Sequence, residues 1–211
     1  MNYKELVSHV RTLATTKSRV LHVTHRACMD GCTCQILVKN VFNNLKLAEY
    51  TPQSLKQLLE FTNFEDFDLV LITDISLYKG FSYKNPKVIF IDHHDSSLEY
   101  SNIDYTYVND KFCSSVILKK FLEDTFLVNL DHLNDLVKLV NDHDLWILKD
   151  SKSLHMSYLY YFYWNEKFIR RFGQGFISLS DEEMVYIKST EHSFREYFKA
   201  MEIFDLTKIN G

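Results

Sequence analysis

The chain has 211 residues, of which 46% are hydrophobic, and a formal net charge of −4 at pH 7. This length predicts one domain of ordinary size, or one domain with a small appendage, and the hydrophobic fraction is ample for a packed core. The negative charge argues against the broad basic face that long duplex nucleic acid needs, but it allows a small anionic substrate that metal ions bring in.

Cysteine use and the N-terminus predict a cytoplasmic protein. The four cysteines are too few for a disulfide scaffold in a chain this long. Three of them, Cys28, Cys32 and Cys34, lack a fourth ligand at structural-zinc spacing. Residues 1–5 carry charges and no signal core, and no run approaches the roughly 18 apolar residues of a membrane span. No membrane association is therefore expected.

The first part of the chain is predicted to alternate helices and strands. Residues 2–15 have the apolar spacing of an amphipathic helix. The elements predicted next are a strand at 18–24, a helix at 31–44, a weaker strand at 45–51, and a helix at 53–61 that Pro52 opens.

Two strongly apolar strands follow, and each ends at an aspartate. The strand at 68–73 ends before Asp74, and the strand at 87–91 ends before Asp92. A short edge strand is predicted at 105–108. Strands that are apolar throughout, with helices between them, are typical of a parallel sheet covered on both faces. The predicted fold is therefore α/β, with a mostly parallel five-stranded sheet flanked by helices.

The last part of the chain is predicted to be helical. Ser114 or Ser115 caps a helix to about 122, an apolar stripe predicts a helix at 130–146, and everything from 151 onward has helical spacing. The change of character near 149–153 predicts a catalytic domain over 1–150 and a small helical extension over 151–211. So short a segment has too few residues for an independent core, and we expect it to pack on the first domain.

Four motifs follow predicted strands or end a predicted helix, and we expect them to meet at one edge of the sheet. In an open α/β sheet, ligands bind outside the carboxyl ends of the strands. The motifs are His25-Arg26-Ala27-Cys28-Met29-Asp30-Gly31, Asp74, Asp92-His93-His94 and Asn141-Asp142-His143-Asp144-Leu145-Trp146. Gly31 is expected to let the backbone turn tightly into the following helix.

Each motif has an ordinary explanation when taken alone. The first is an ordinary strand-to-helix turn, Asp74 and Asp92 are common helix caps, and the last is a polar helix end with Trp146 anchoring it to the core. Carboxylates that crowd one crevice, however, repel each other unless a cation neutralises them. Two metal ions about 3.5–4 Å apart would satisfy such a set and could clamp a phosphoryl group.

In order and spacing, the four motifs resemble the DHH phosphoesterase superfamily. This superfamily includes single-strand exonucleases, nanoRNases, cyclic-dinucleotide phosphodiesterases and family II pyrophosphatases. The resemblance covers about residues 18–148. It implies that His25 binds the first of two metal ions, that Asp30 serves the second, that Asp74 bridges them, and that His93 is a further ligand. Mn²⁺ is the expected ion, with other divalent metals as alternatives.

The resemblance also implies roles around the metal ions. Asp92 would fix the tautomer of an imidazole, and His94 would face the phosphate and stabilise its charge. Arg26 is placed for a phosphate contact. Asp144 resembles the last metal ligand, but Asp142 is an alternative that the sequence does not exclude.

Two departures from the family pattern affect the expected site. Cys28 stands where many members have the first aspartate of D-x-D-G, so it is either a softer metal ligand or a buried inert thiol. The glycine-rich substrate-binding motif of larger members is absent from the sequence. Residues 151–211 or a partner subunit would then grip the substrate.

The extension offers two candidate substrate contacts, and both have simpler explanations. The aromatic run at 158–164 could stack nucleobases or could pack against helices or in a dimer. Lys167, Arg170 and Arg171 could meet phosphates or could form a solvated helix face.

The function that follows is metal-assisted hydrolysis of a phosphodiester in short oligonucleotides or cyclic dinucleotides. One alternative is a phosphatase or pyrophosphatase, although the lysine- and arginine-rich second domain of pyrophosphatases is missing. Another is a catalytically degenerate module that binds nucleotides. The expected partner is a short nucleic acid or nucleotide, and a homodimer remains open.

Overall fold

A five-stranded parallel sheet forms the centre of the protein in this computed structural model, which describes residues 1–209. The strands are β1 (Arg19–His25), β2 (Asn44–Tyr50), β3 (Leu69–Thr73), β4 (Val88–Asp92) and β5 (Thr106–Val108). Their order in the sheet is β2-β1-β3-β4-β5, and every neighbouring pair is parallel. The predicted α/β fold with a five-stranded sheet is confirmed.

Seven α-helices connect and flank the strands in the described residues. They are α1 (Tyr3–Leu13), α2 (Met29–Lys39), α3 (Pro52–Phe61), α4 (Ser114–Phe126), α5 (Asn134–Asp144), α6 (Ser151–Phe172) and α7 (Asp181–Ile209). Local chemistry sets some of these bounds. At the start of α1, the Glu5 backbone N–H donates to Asn2 Oδ1 (3.0 Å) and the Asn2 N–H donates to Glu5 Oε2 (2.8 Å), which is a capping box.

Two predicted helices differ from the structure at their ends. The helix predicted at 31–44 begins earlier, at Met29, and ends at Lys39, because the Asn40 side chain donates to the Ile36 carbonyl (2.9 Å) and closes the last turn. The helix predicted at 130–146 begins with a short 3₁₀ segment, so α5 itself starts at Asn134.

Alternate side chains of the strands face two separate cores. Leu69 and Leu71 of β3 pack under α1, α2, α4, α5 and α6, whereas Val70 and Ile72 pack on the opposite face with α3. This alternation is the period-two pattern of a strand covered on both sides. Side chains of α6 complete the first core, so the C-terminal region does not have a core of its own in the described residues.

The predicted helical region over 151–211 is interrupted. Trp164 has a non-helical backbone (φ 55°, ψ 176°) inside α6, and the segment between α6 and α7 is not helical. Residues 210 and 211 of the predicted extension lie outside the described residues. The division into a domain at 1–150 and an extension at 151–211 stays a prediction. Within residues 1–209, no helix is long and apolar enough to span a bilayer.

The strand order creates a crevice at one end of the sheet. After β1, the chain moves outward to β2 and then returns to place β3 on the other side of β1. The connections therefore leave β1 and β3 in opposite directions, and open α/β sheets bind ligands at this switch point.

Candidate metal centre

The carboxyl ends of β1, β3 and β4 bring polar side chains to this crevice. His25 is the last residue of β1, Asp74 follows β3 directly, and Asp92 ends β4 immediately before His93 and His94. Because the strands are parallel and adjacent, three of the predicted motifs end at the same edge of the sheet.

Two helices complete the site from the other side. Cys28 is the N-cap of α2 and Asp30 lies in its first turn, while Asp144 is the last residue of α5. Asp30 is fully buried, and its carboxylate accepts hydrogen bonds from the Ser115 backbone N–H at the start of α4 (3.1 and 3.3 Å). The first turn of α4 thus supports a site residue of α2.

The potential ligands form two clusters. In the first cluster, donor atoms of His25, Cys28 and Asp74 all lie within 4.8 Å of one another, and the same limit holds for Asp30, His93 and Asp144 in the second cluster. Either group could hold a metal ion.

Asp74 links the two clusters. Its Oδ1 lies 3.4 Å from His93 Nε2, which is also 3.3 Å from Asp144 Oδ2. Asp74, His93 and His94 form a further set of three donors within 4.8 Å. Asp74 therefore has the position that a residue shared by two ions would need.

The carboxylates of the centre crowd one another. Burial, followed by the charges of Asp74 and Asp144, raises the pKa of Asp30 well above its usual range, and burial together with Asp74 raises the pKa of Asp144. Burial acts to lower the pKa of His93, but the hydrogen bond to Asp74 and the nearby carboxylates prevail and raise it to about 9. All three shifts mean that the site favours added positive charge.

The donor set fits a divalent cation. Asp74 Oδ2 is buried and has no hydrogen-bond partner among residues 1–209, although a buried carboxylate oxygen normally has one. Asp74 also has a left-handed backbone (φ 57°), which is uncommon for residues other than glycine. An ion between the clusters would satisfy the orphaned oxygen and offset the crowded carboxylates.

Gly31 is required for close approach rather than for a turn, which corrects the expectation from the sequence. It lies inside α2, and its φ is outside the left-handed region; the positive φ belongs to Ala27 (55°). A Cβ at position 31 would lie 2.8 Å from the His25 carbonyl oxygen, 2.9 Å from Thr24 Oγ1 and 3.1 Å from Asp74 Oδ2. The missing side chain lets α2 meet the ends of β1 and β3.

Asp92 orients His94. His94 Nδ1 donates to Asp92 Oδ1 (2.7 Å), and Ser97 Oγ donates to Asp92 Oδ2 (2.5 Å). Burial opposes ionisation of Asp92, but the hydrogen bonds from His94 and Ser97, with the charge of His94, together lower its pKa. The ionised carboxylate fixes the Nδ1–H tautomer of His94, whose Nε2 is then not engaged by Asp92.

Asp142 lies outside both clusters. Its carboxylate accepts hydrogen bonds from the backbone N–H groups of Lys149 and Asp150 (3.1 Å each), so it fastens the loop between α5 and α6. Asp142 and Asp144 are two residues apart on a helix and point about 200° apart, so both cannot face the same ion. Asp144 is the member of the pair that joins a cluster.

The predicted cationic contacts are divided between two places. Arg26 is exposed and lines a cleft beside the centre together with Lys167. Arg170 lines a larger cavity between α2, β2 and α6. Arg171 donates to the fully buried Glu183 carboxylate (2.8 and 3.1 Å), so its charge is already paired within the protein. The structure does not bring Arg170 or Arg171 into either cluster.

Trp146 is 70% exposed, so the interpretation that it anchors α5 to the core is wrong. Its backbone is left-handed (φ 54°), and the backbone N–H groups of Ile147 and Leu148 donate to the Asp142 carbonyl oxygen. The tight loop after Asp144 turns the indole toward solvent.

A hydrogen-bonded chain below the centre was not predicted from the sequence. His22 Nε2 lies 2.9 Å from Thr73 Oγ1, which donates to Thr24 Oγ1 (3.3 Å), and all three side chains are fully buried. Burial lowers the pKa of His22 to about 3, so the imidazole is neutral. Alternation along β1 and β3 could have placed these residues on one face, but not their pairing.

Known proteins resemble this chain in fold alone. No protein-family model matches the chain, and no curated protein matches it. Two chains of solved structures do match. One is the crystal structure of an uncharacterized protein from Helicobacter pylori G27, with 21% identity and a TM-score of 0.50. The match covers 62% of this chain and 45% of that chain, so this chain spans less than half of the length of that protein.

Proposed function

We propose that the protein is a divalent-metal-dependent phosphodiesterase of the DHH type that hydrolyses short oligonucleotides or cyclic dinucleotides. The observation that carries the proposal is the pair of donor clusters that Asp74, a member of the first, links through its contact with His93 of the second. Two adjacent ions suit an in-line displacement at phosphorus, because they can serve the attacking and the leaving oxygen.

Mn²⁺ is the ion that we propose. Carboxylate and imidazole donors together suit Mn²⁺, and the second cluster, Asp30, His93 and Asp144, offers only these. When bound, the ions would supply Lewis-acid chemistry, which makes water a better nucleophile near neutral pH and offsets charge on phosphoryl oxygens.

The residues of the chain then position the substrate. Burial acts to lower the pKa of His94, but its hydrogen bond to Asp92 and the charge of that carboxylate prevail and raise it. As an imidazolium, His94 has a second N–H that can donate to a non-bridging phosphoryl oxygen beside Asp74 and His93. Arg26 follows His25 directly and is exposed, so its guanidinium can reach an adjacent phosphate. These contacts act on the phosphodiester and not on a particular base.

Short substrates are favoured over long strands. The net charge of −4 leaves no excess of cations to neutralise many phosphates. The cleft that contains Arg26 and Ala27, next to the centre, has a volume of about 420 Å³, which suits a ligand of one or a few nucleotides.

The test combines metal analysis with a substrate panel. Purified protein would be loaded with Mn²⁺, its metal content measured by mass spectrometry, and its turnover assayed with pApA, a cyclic dinucleotide and pyrophosphate. We expect about two ions per chain and release of mononucleotides. Cleavage of pyrophosphate alone would replace the proposal with the pyrophosphatase alternative.

One observation favours a second candidate, a degenerate nucleotide-binding module. Burial, followed by the charges of Asp74 and Asp30, raises the pKa of the Cys28 thiol, so without an ion this position is a neutral and weak ligand. A first cluster that fails to load would leave one ion. Tight nucleotide binding without turnover, at a stoichiometry of one ion per chain, would support this candidate.

A further inference from the structure

An exposed tryptophan lies beside the metal centre, in the aromatic run at 158–164, of which only a part is buried in the core. Tyr160 of this run is buried in the first core, but Tyr161 and Trp164 are 58% and 54% exposed. Their rings meet edge to face, with centroids 6.0 Å apart. An indole that is half exposed next to a polar cleft is available to a ligand.

The backbone at Trp164 is strained, and the neighbouring residues hold it in place. A φ of 55° with a ψ of 176° is a conformation in which residues other than glycine are rarely found, and it costs roughly 1–3 kcal/mol. Tyr160 Oη donates to Asn165 Oδ1 (2.6 Å), Asn165 Nδ2 donates to Glu49 Oε1, and Cys32 Sγ lies 3.7 Å from the Asn165 carbonyl oxygen. Both ends of the Asn165 amide are thus used to fix the break in α6.

The break has a clear effect on where side chains point. It turns Asn165 inward onto β2 and α2 and leaves the preceding indole at the surface. Gln35 of α2 also donates to Glu49 Oε1 (2.9 Å), which ties the same carboxylate to a second element. The position of Trp164 is therefore set by a network of buried and half-buried contacts.

The cleft under Trp164 begins at the metal centre. Its volume is about 420 Å³, and it is lined by Arg26, Ala27, Glu49, Tyr163, Trp164, Asn165, Glu166 and Lys167. Arg26 and Ala27 are the two residues between His25 and Cys28, which belong to the first cluster. One wall of the cleft is thus the chain segment that would hold the first ion.

The charges in the cleft suit a phosphate next to a base. Arg26 and Lys167 are exposed, and neither is in an ion pair within the described part of the chain. The Glu49 carboxylate accepts hydrogen bonds from the side-chain amides of Gln35 and Asn165, and Glu166 is exposed. An aromatic face with two free cations is the combination that holds a nucleotide by stacking and by its phosphate.

We propose that Trp164 is the stacking platform for the nucleobase next to the scissile phosphate, with Arg26 and Lys167 as its phosphate contacts. The identification of the neighbouring phosphate as the one that is cleaved rests on the proposed function. Binding of a base at Trp164 does not itself require turnover. It makes the preferred substrate a phosphodiester with a nucleobase and disfavours pyrophosphate.

The composition of the chain permits a direct measurement of stacking. The chain has only two tryptophans, so Trp146→Phe leaves Trp164 as the sole indole, and Trp164→Phe leaves Trp146. Each variant would be titrated with AMP and with ribose phosphate in Mg²⁺. We expect AMP to quench the Trp164 emission saturably and ribose phosphate, which lacks a base, to leave it unchanged. Unquenched Trp164 emission at every AMP concentration would overturn the subsite.

Kinetics provide the second arm. Trp164→Ala should raise the KM for pApA roughly 5- to 100-fold with a smaller change in kcat, and Trp164→Phe should keep most of the affinity. The matched control is Phe61→Ala, because Phe61 is an exposed aromatic residue at the end of α3, on the opposite face of the sheet. Equal KM values for wild type and Trp164→Ala would remove the subsite from the proposal.

The two arms separate the two proposals. Quenching by AMP without any turnover would support the stacking subsite and reject the phosphodiesterase. If pApA is cleaved with the same KM by wild type and by Trp164→Ala, the phosphodiesterase proposal is supported and the subsite is rejected.

Discussion

The two donor clusters differ in both chemistry and construction. The first offers an imidazole, a thiol and the carboxylate of Asp74, and two of its members, His25 and Cys28, lie three residues apart in one strand-to-helix turn. The second offers an imidazole and two carboxylates from α2, the end of β4 and the end of α5. Two ligands of the first cluster come from one turn and the third follows the adjacent strand β3, whereas the second cluster requires α2, the end of β4 and α5 to come together.

This difference predicts different metal behaviour. Carboxylates and imidazole favour Mn²⁺, whereas a thiol favours softer ions such as Zn²⁺. Because Asp74 belongs to the first cluster and contacts His93 of the second, a change there affects both, while a change in Cys28 or Asp144 affects one.

The largest effect is expected from Asp74→Asn. We expect a loss of turnover of roughly 10³-fold or more, since the change removes the charge that links the two clusters. Metal content should fall for both ions, and the thermal midpoint without metal should stay the same or rise, because a crowded carboxylate is relieved.

The control for Asp74→Asn is Asp110→Asn, an exposed aspartate outside both clusters. Full activity in Asp74→Asn would contradict the proposed role of Asp74 as the shared ligand.

A smaller effect is expected from Asp92→Asn. The amide would no longer hold the Nδ1–H tautomer of His94, and we expect turnover to fall roughly 10- to 100-fold while metal content is kept. His94→Ala combined with Asp92→Asn should cost little more than His94→Ala alone, because the carboxylate acts through the imidazole.

The control for this cycle is Asp95→Asn, the exposed aspartate one residue beyond His94. Fully additive losses in the double variant would show that Asp92 does not act through His94.

A change in selectivity rather than in rate is expected at Cys28. Cys28→Asp makes the first cluster harder, and we expect the preference for Mn²⁺ over Zn²⁺ to rise on the order of tenfold in a competition assay. The control is Cys32→Ser, which keeps a donor to the Asn165 carbonyl and lies outside both clusters. If Cys28→Asp and wild type have the same preference, the thiol is not a ligand.

His22, in the chain of hydrogen bonds below both clusters, is expected to affect the stability of the protein and not its turnover. Its pKa is about 3 in the folded protein and about 6.5 in an unfolded chain, so acid favours the unfolded state. Between about pH 7.5 and about pH 5, this one group should cost about 2 kcal/mol of stability.

The measurement is urea unfolding at both pH values for wild type and His22→Gln, whose side chain cannot titrate. We expect the variant to lose about 2 kcal/mol less than wild type on acidification. Identical losses would mean that His22 is protonated, or partly solvated, in the folded protein.

Much of the metal centre was predictable from the sequence, because the carboxyl ends of parallel strands lie at one edge of the sheet. Apolar runs that stop at Asp74 and Asp92 indicated both the strands and the place where these carboxylates would meet. The choice between Asp142 and Asp144 was not predictable, since it depends on the rotation of α5 about its axis, which packing against α2, α4 and α6 sets.

The break at Trp164 was also beyond the sequence. No glycine or proline marks the position, and the helical spacing continues on both sides. The break depends on Asn165, Glu49 and Tyr160, which come together only in the folded protein. The local preference of these residues for a helix is overridden here by hydrogen bonds to residues distant in the sequence.

Gly31 shows what the fold gives up for its crevice. Alanine would favour the helix by about 1 kcal/mol, yet a single methyl group would force the ends of β1 and β3 apart. The close approach of α2 to these strand ends thus requires that residue 31 has no side chain. Among all residue types at position 31, we expect only glycine to give a protein that still binds metal.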